Sequence, residues 1–340
     1  MKFKAQIFKS IFLLIFSSAF TFSTLAQDWI DDEEDWVPTR RGIEFGLNMG
    51  VYQPYSKKPN INDLEEKFRD NAANFYNGNG TYEIGDNTAT INSIEDRMFG
   101  DTWTRNYIET LLDQAGYNVD QGLVNSIRYI TPQDALTYET AMLFGLRVAG
   151  FFSQESAIVM SADFVSVKAS GLYQIEFNNP LPSNVNSLYY NGAIFGEERR
   201  FLGTLGYRTS LYINDSASWL FEIGGTATGT QVMRNYFVVE GEPFQLIYQN
   251  IGPGQFNAQT SNLSNMGFGA YASTGLEGLF EKGGNLEANL RFSRDRIKLG
   301  SQDLDEFGEV KGYSQIQWNF SLCITWMIPT HVGDYVKASF

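Results

Sequence analysis

The chain has 340 residues, with 39 acidic against 25 basic side chains and a formal net charge of -14. That balance excludes nucleic acid as an expected partner, because the phosphate backbone asks for a basic surface. One cysteine, Cys323, and one histidine, His331, exclude an internal disulfide framework and leave base-dependent catalysis a single imidazole.

The first residues carry Lys2, Lys4 and Lys9 and no acid, ahead of an apolar stretch over 11–16 and a small-residue end at Thr24-Leu25-Ala26. This is the layout of a cleaved secretory signal, and Ser17, Ser18, Thr21 and Ser23 make it too short and polar for a spanning helix. A signal peptide over 1–26 is therefore expected, with the mature chain starting at Gln27 and no cysteine there for lipid attachment. Residues 27–41 form an acidic segment flanked by tryptophans. An acid run is ordinarily a solvated face. With aromatic anchors it also reads as a periplasmic docking site for a basic partner, formed by Trp29, Asp31, Asp32, Glu33, Glu34, Asp35 and Trp36. Arg40 and Arg41 then suit the inner membrane interface.

After the leader no apolar run is long enough for a membrane helix, although aromatics make up 15% of the chain, so periodicity decides the class. Ile43, Phe45, Leu47, Met49 and Val51 alternate with Glu44, Gly46, Asn48, Gly50 and Tyr52. Trp318, Phe320, Leu322, Ile324, Trp326 and Ile328 alternate with Asn319, Ser321, Cys323, Thr325 and Met327. Further strands follow the same template at 138–152, 157–177, 201–213, 219–230, 267–280 and 286–299, which brings the expected number to eight. Each matches or exceeds the roughly 9–11 residues of a tilted spanning strand. The links alternate in length: 153–156, 214–216 and 281–284 are short and rich in Gly, Asn, Asp and Ser, and the other four are long. That alternation is the habit of outer-membrane barrels, with short periplasmic turns and long outer loops. The expected fold is an all-β, eight-stranded up-and-down antiparallel transmembrane β-barrel over 42–328. A soluble eight-stranded barrel would put the apolar face inside, and here the opposite face carries Glu and Arg that a sealed apolar core would not tolerate.

The first loop, 56–135, is large and partly helical by pattern. Helices are expected over 61–74, capped by Asn60, and over 103–116, where Ile108, Leu111, Leu112 and Ala115 form an apolar stripe. Turn chemistry separates them at Asn77-Gly78-Asn79-Gly80 and Gly85-Asp86-Asn87. A link of that length is expected to be an ordered cap or binding element. Residues 232–249, centred on Glu240-Gly241-Glu242-Pro243, read as a hairpin above the membrane. Residues 329–340 form an expected periplasmic tail.

The leader ending Leu25-Ala26-Gln27, the strand Gly42-Ile43-Glu44-Phe45-Gly46-Leu47, the hairpin pattern and the terminal Phe340 resemble the OmpA-transmembrane-domain-like outer-membrane barrels of Bacteroidota. The chain departs from that pattern in its large first loop and in the tail after Pro329, where Val336, Ala338 and Phe340 alternate. With so large a loop it looks like an accessory barrel of a larger complex, such as the type IX secretion and gliding apparatus. Asp215-Ser216-Ala217 is similar to a short O-glycosylation acceptor of that group.

Eight strands enclose a bore just wide enough for side chains. Glu44, Glu139, Arg147, Asp163, Arg208, Glu222, Glu277, Glu287 and Arg291 are expected to face it as an ion-pair network. The same residues admit a gated ion path, since the acids outnumber the arginines. Enzyme chemistry finds little support: His331 lies in the tail and reads as solvated, no acid pair has a singular spacing, and Cys323 reads as inward packing. No catalytic residue, metal site or cofactor is expected. The leading expectation is a non-catalytic outer-membrane subunit of a surface or protein-secretion complex, whose partners are membrane lipid and other outer-membrane or periplasmic proteins. The alternative is a narrow channel or ligand-uptake barrel, and an outer-membrane enzyme comes last.

Overall fold

The computed structural model describes residues 42–55, 82–84, 89–91, 94–100, 102–132, 136–178, 189–214, 216–252, 255–257, 264–280, 284–299 and 313–328. Within these, the alternating segments form β1 (Gly42–Pro54), β2 (Ala141–Phe151), β3 (Ser156–Phe177), β4 (Tyr189–Asn214), β5 (Ala217–Val239), β6 (Ser264–Phe280), β7 (Gly284–Leu299) and β8 (Tyr313–Met327). Each pairs antiparallel with the next. The last strand returns to the first, in register from Gly46↔Met327 to Pro54↔Asn319. The eight strands are thus a closed ring, which leaves no unpaired sheet edge along its wall.

Alternation dictates what this ring shows outside. Ile43, Phe45, Leu47 and Met49 of β1, Met142, Phe144 and Leu146 of β2, and Trp318, Ile324 and Trp326 of β8 are all exposed. Their strand neighbours Asn48, Arg147, Asn319 and Thr325 are buried. A contiguous apolar belt around a polar interior inverts the arrangement of a water-soluble barrel and is the surface a bilayer demands. Among the described residues no helix is long and apolar enough to cross a membrane.

Above this belt the polarity reverses. β3, β4 and β5 run to 22, 26 and 23 residues, about twice what a spanning strand needs. In their upper parts Tyr173, Ile175, Ile194 and Phe237 are buried inside, and Lys168 and Arg234 face out. The apolar upper bore is filled from the first loop by α1 (Ile94–Gly100), α2 (Thr102–Gln114) and α3 (Leu123–Ser126). Ile108 and Leu112 of α2 and Met98 of α1 are fully buried in one cluster with these wall residues. The expected helix over 103–116 is therefore present as α2, but it ends at Gln114 and leaves Ala115 exposed, outside the stripe. The expected helix over 61–74 lies outside the described residues.

The projecting hairpin is the continuation of β5. Residues Glu242–Gln245 pair back from Glu242↔Val239 to Gln245↔Tyr236. Glu240 and Gly241 both have positive φ, at 48° and 86°, the geometry of the two-residue turn that matches strand twist. The backbone N–H of Glu240 donates to the Tyr190 hydroxyl at 2.9 Å, which secures that non-glycine residue in the left-handed region. A small second sheet joins Ala89–Ile91 of the first loop to Ile247–Gly252 beyond the hairpin, and Arg97 of α1 donates through Nε to the Gln245 carbonyl at 3.1 Å. Cap and hairpin are thereby one structure.

Candidate functional site

The inward residues of the lower barrel are charged because their strands turn every second side chain to the bore, and the spacing of the ring lets long arginines reach across it. Arg208 on β4 meets Glu287 of β7 at 2.6 Å and Glu277 of β6 at 3.1 Å. Arg147 on β2 pairs with Glu222 of β5 and lies 3.4 Å from Glu287. Arg291 on β7 donates to Asp163 of β3 at 2.9 Å. Asp163 also accepts from Asn48 at 2.9 Å, and Asn48 in turn accepts from Thr325 at 2.6 Å. Ser218 and Asn289 donate to Glu277 and Glu287 at 2.9 and 3.0 Å. Buried charges persist only when paired and hydrogen-bonded in this way.

One layer higher lies a group absent from the sequence expectation. Arg200 pairs with Glu198 and donates to Tyr52 at 3.0 Å and to Gln317 at 2.8 Å, with its guanidinium 5.0 Å from the Tyr138 ring centroid. Asp295 is buried nearby and accepts from Thr226, Ser293 and, at 2.7 Å, Asn319. The signal for both was available: Arg200 shares its parity with Arg208, and Asp295 with Arg291. The expected strand begins only at Phe201, which leaves the run Glu197-Glu198-Arg199-Arg200 outside it.

Glu139 is a correction. It was expected in the bore and is exposed, with Ser170 donating to its carboxylate at 3.4 Å. Register explains the change: Tyr138 faces Ala169, yet Leu143 faces Val165, so one extra residue is inserted between them. Such a bulge flips every side chain beyond it, which turns Tyr138 inward and Glu139 out. Glu44 stays on the inward parity of β1 at the turn end and is half-buried. Trp29, Asp31, Asp32, Glu33, Glu34, Asp35 and Trp36 lie outside the described residues, as do His331 and Asp215.

Below the charged layers Phe151, Ala157, Val159 and Met327 form a small apolar cluster at the short-turn end. The bore is thus occupied at successive heights by an apolar floor, the ion pairs, the Arg200 layer and the helical cap. Arg147, Arg200 and Arg208 are among the most completely buried large side chains of the molecule. No group of three or more His, Cys, Asp or Glu suited to a metal ion occurs among the described residues. Cys323 is buried and faces the bore beside Ser321 and Thr325. Outside the membrane, burial holds the Tyr173 hydroxyl well above its ordinary pKa range and raises that of Tyr190.

These features define a membrane-spanning eight-stranded β-barrel with a self-filled bore and an ordered cap. No protein-family model and no curated protein sequence matches the chain. Among solved structures it is similar to Ail, the attachment invasion locus protein of Yersinia pestis, at 9% identity and a TM-score of 0.28, covering 85% of this chain and 99% of that one. The same Ail protein in complex with the heparin analogue sucrose octasulfate gives 10% identity and a TM-score of 0.29 over the same shares. The outer membrane protein OprG from Pseudomonas aeruginosa gives 9% and 0.31, covering 86% of this chain and 99% of that one. Likeness at this level does not bear on function, and the barrel assignment rests on this chain's own ring of pairings.

Proposed function

We propose that the chain is a non-catalytic integral outer-membrane barrel that acts as a binding subunit of a larger surface or protein-secretion complex, exported by a leader over 1–26. The observation that carries this is the filled bore: a wall built to conduct would not seal Arg147, Arg200 and Arg208 in ion pairs beneath a packed helical cap. What the barrel offers instead is the cap. Trp103 of α2 is 69% exposed and stacks on Tyr107 at 5.5 Å between ring centroids. An exposed tryptophan on a rigid helix is the type of anchor that protein interfaces use. The acidic segment 27–41 supplies a second contact on the periplasmic side.

Two measurements test the proposal together. Purified protein in planar bilayers is expected to give no discrete conductance steps, and the protein solubilised gently from its native membrane is expected to migrate with other proteins. A barrel that migrates alone and conducts ions would replace this reading with the narrow-channel one.

A further inference from the structure

β7 turns Leu286, Ala288, Leu290 and Phe292 outward along the apolar belt, and then, on the same row, Arg294, Arg296 and Lys298. Across the ladder the two arginines lack the polar neighbours that would accompany cations in water, and only Lys298 has one, Ser314. Arg294 stands opposite Trp318 and Arg296 opposite Ile316 on β8. On the other flank β6 presents Met266 and Phe268, and all four of these apolar side chains are exposed. The Arg294 guanidinium lies 5.7 Å from the Trp318 ring centroid. Among the described residues no ion pair reaches Arg294, Arg296 or Lys298. On the far wall Arg234 lies 3.9 Å from Glu197, and Lys168 faces Glu197 in register.

Exposed aromatic and aliphatic groups between cations that no described acid answers suit one environment, the headgroup layer, where acyl chains end and phosphates begin. Alternate residues on a strand stand about 7 Å apart, so the row offers successive positive charges to neighbouring phosphates. Arginine adds a planar fork that binds phosphate with two N–H bonds. We infer that Arg294, Arg296 and Lys298 form a binding stripe for the phosphate-bearing headgroup of an anionic lipid, in the leaflet at the long-loop end of the barrel. The inference rests on the outer-membrane reading above, which makes that leaflet the outer one.

The test uses the full-length protein reconstituted in vesicles of phosphatidylcholine alone, or with added bisphosphorylated or dephosphorylated lipid A. Lipid retained after detergent extraction is measured by native mass spectrometry. The wild type is expected to retain the bisphosphorylated lipid selectively. Each cation near an anionic surface contributes about a fivefold factor, so R294Q/R296Q/K298Q is expected to retain roughly a hundredfold less. K168Q/R234Q, on the far wall, is expected to match the wild type. If the triple variant does not insert, Arg296→Gln alone, with a loss of about fivefold, takes its place. Equal retention by the stripe variants, equal retention of the dephosphorylated lipid, or displacement of the lipid by millimolar inorganic phosphate would each overturn the inference. Insertion is scored separately by protease protection. A wild type that enters none of the vesicles sinks the outer-membrane reading itself, whereas normal insertion with unchanged lipid retention sinks the stripe alone.

Discussion

The lower and upper parts of the barrel share strands but follow opposite solvent rules. In the lower part Leu146 is 59% exposed while Arg147, one residue on, is sealed in the bore. In the upper part Ile175 and Phe237 are sealed and Lys168, Glu176 and Arg234 face out. β3, β4 and β5 pass through both regions without a break. The difference teaches that strand pairing is indifferent to which face is greasy: the medium around each height decides it. A lipid belt needs apolar outer side chains and tolerates a polar bore, whereas water needs the reverse.

The contrast can be broken most sharply inside the lower bore. Arg208→Leu strands Glu277 and Glu287 without their shared cation and is expected to cost about 3–5 kcal/mol, read as a fall in the urea midpoint of the vesicle-inserted barrel. On the outer belt, Leu146→Arg is expected to cost about 2–4 kcal/mol near the midplane and to lower the yield of protease-protected protein. The cap should answer to core packing alone: Ile108→Val, at a fully buried site, is expected to cost about 0.5–1.5 kcal/mol. Hydrogen exchange should localise that loss to α2 and its contacts and leave β1 and β8 unchanged. The smallest effect belongs to Leu172→Arg. Leu172 is 48% exposed, comparable to Leu146, but sits above the belt, so a change within about 0.5 kcal/mol is expected. Equal penalties at Leu146 and Leu172 would erase the boundary between the two regions.

Much of the lower barrel was legible in the chain because a period of two, repeated with charge on one face and aromatics on the other, has few other meanings. The inward placement of Arg147, Asp163, Arg208, Glu222, Glu277, Glu287 and Arg291 follows from that parity. Glu139 did not, since the inserted residue before Leu143 leaves no mark in composition and reverses everything on its far side. Arg200 and Glu198 were hidden for a different reason. They sit where β4 changes from lipid to water rules, and there the outward face also becomes charged, so contrast between the faces fades. The upper lengths of β4 and β5 were short in the sequence reading for the same cause. α1 and α3, at 7 and 4 residues, are too brief to show a helical period, and they form because the wall of the upper bore buries them.

The ion pairs of the bore have a bearing on how the molecule comes into being. Among the described residues Arg200 pairs with Glu198 of its own strand, but the others join strands that are not adjacent: Arg208 on β4 reaches β6 and β7, Arg147 on β2 reaches β5 and β7, and Arg291 on β7 reaches β3, 128 positions away in the chain. A half-made sheet, however well its hairpins had zipped, would carry these arginines and glutamates without their opposite numbers into the hydrocarbon. Unmatched charge at that depth is costly, so entry into the bilayer is expected to go together with the curling that brings β2, β3 and β4 against β5, β6 and β7.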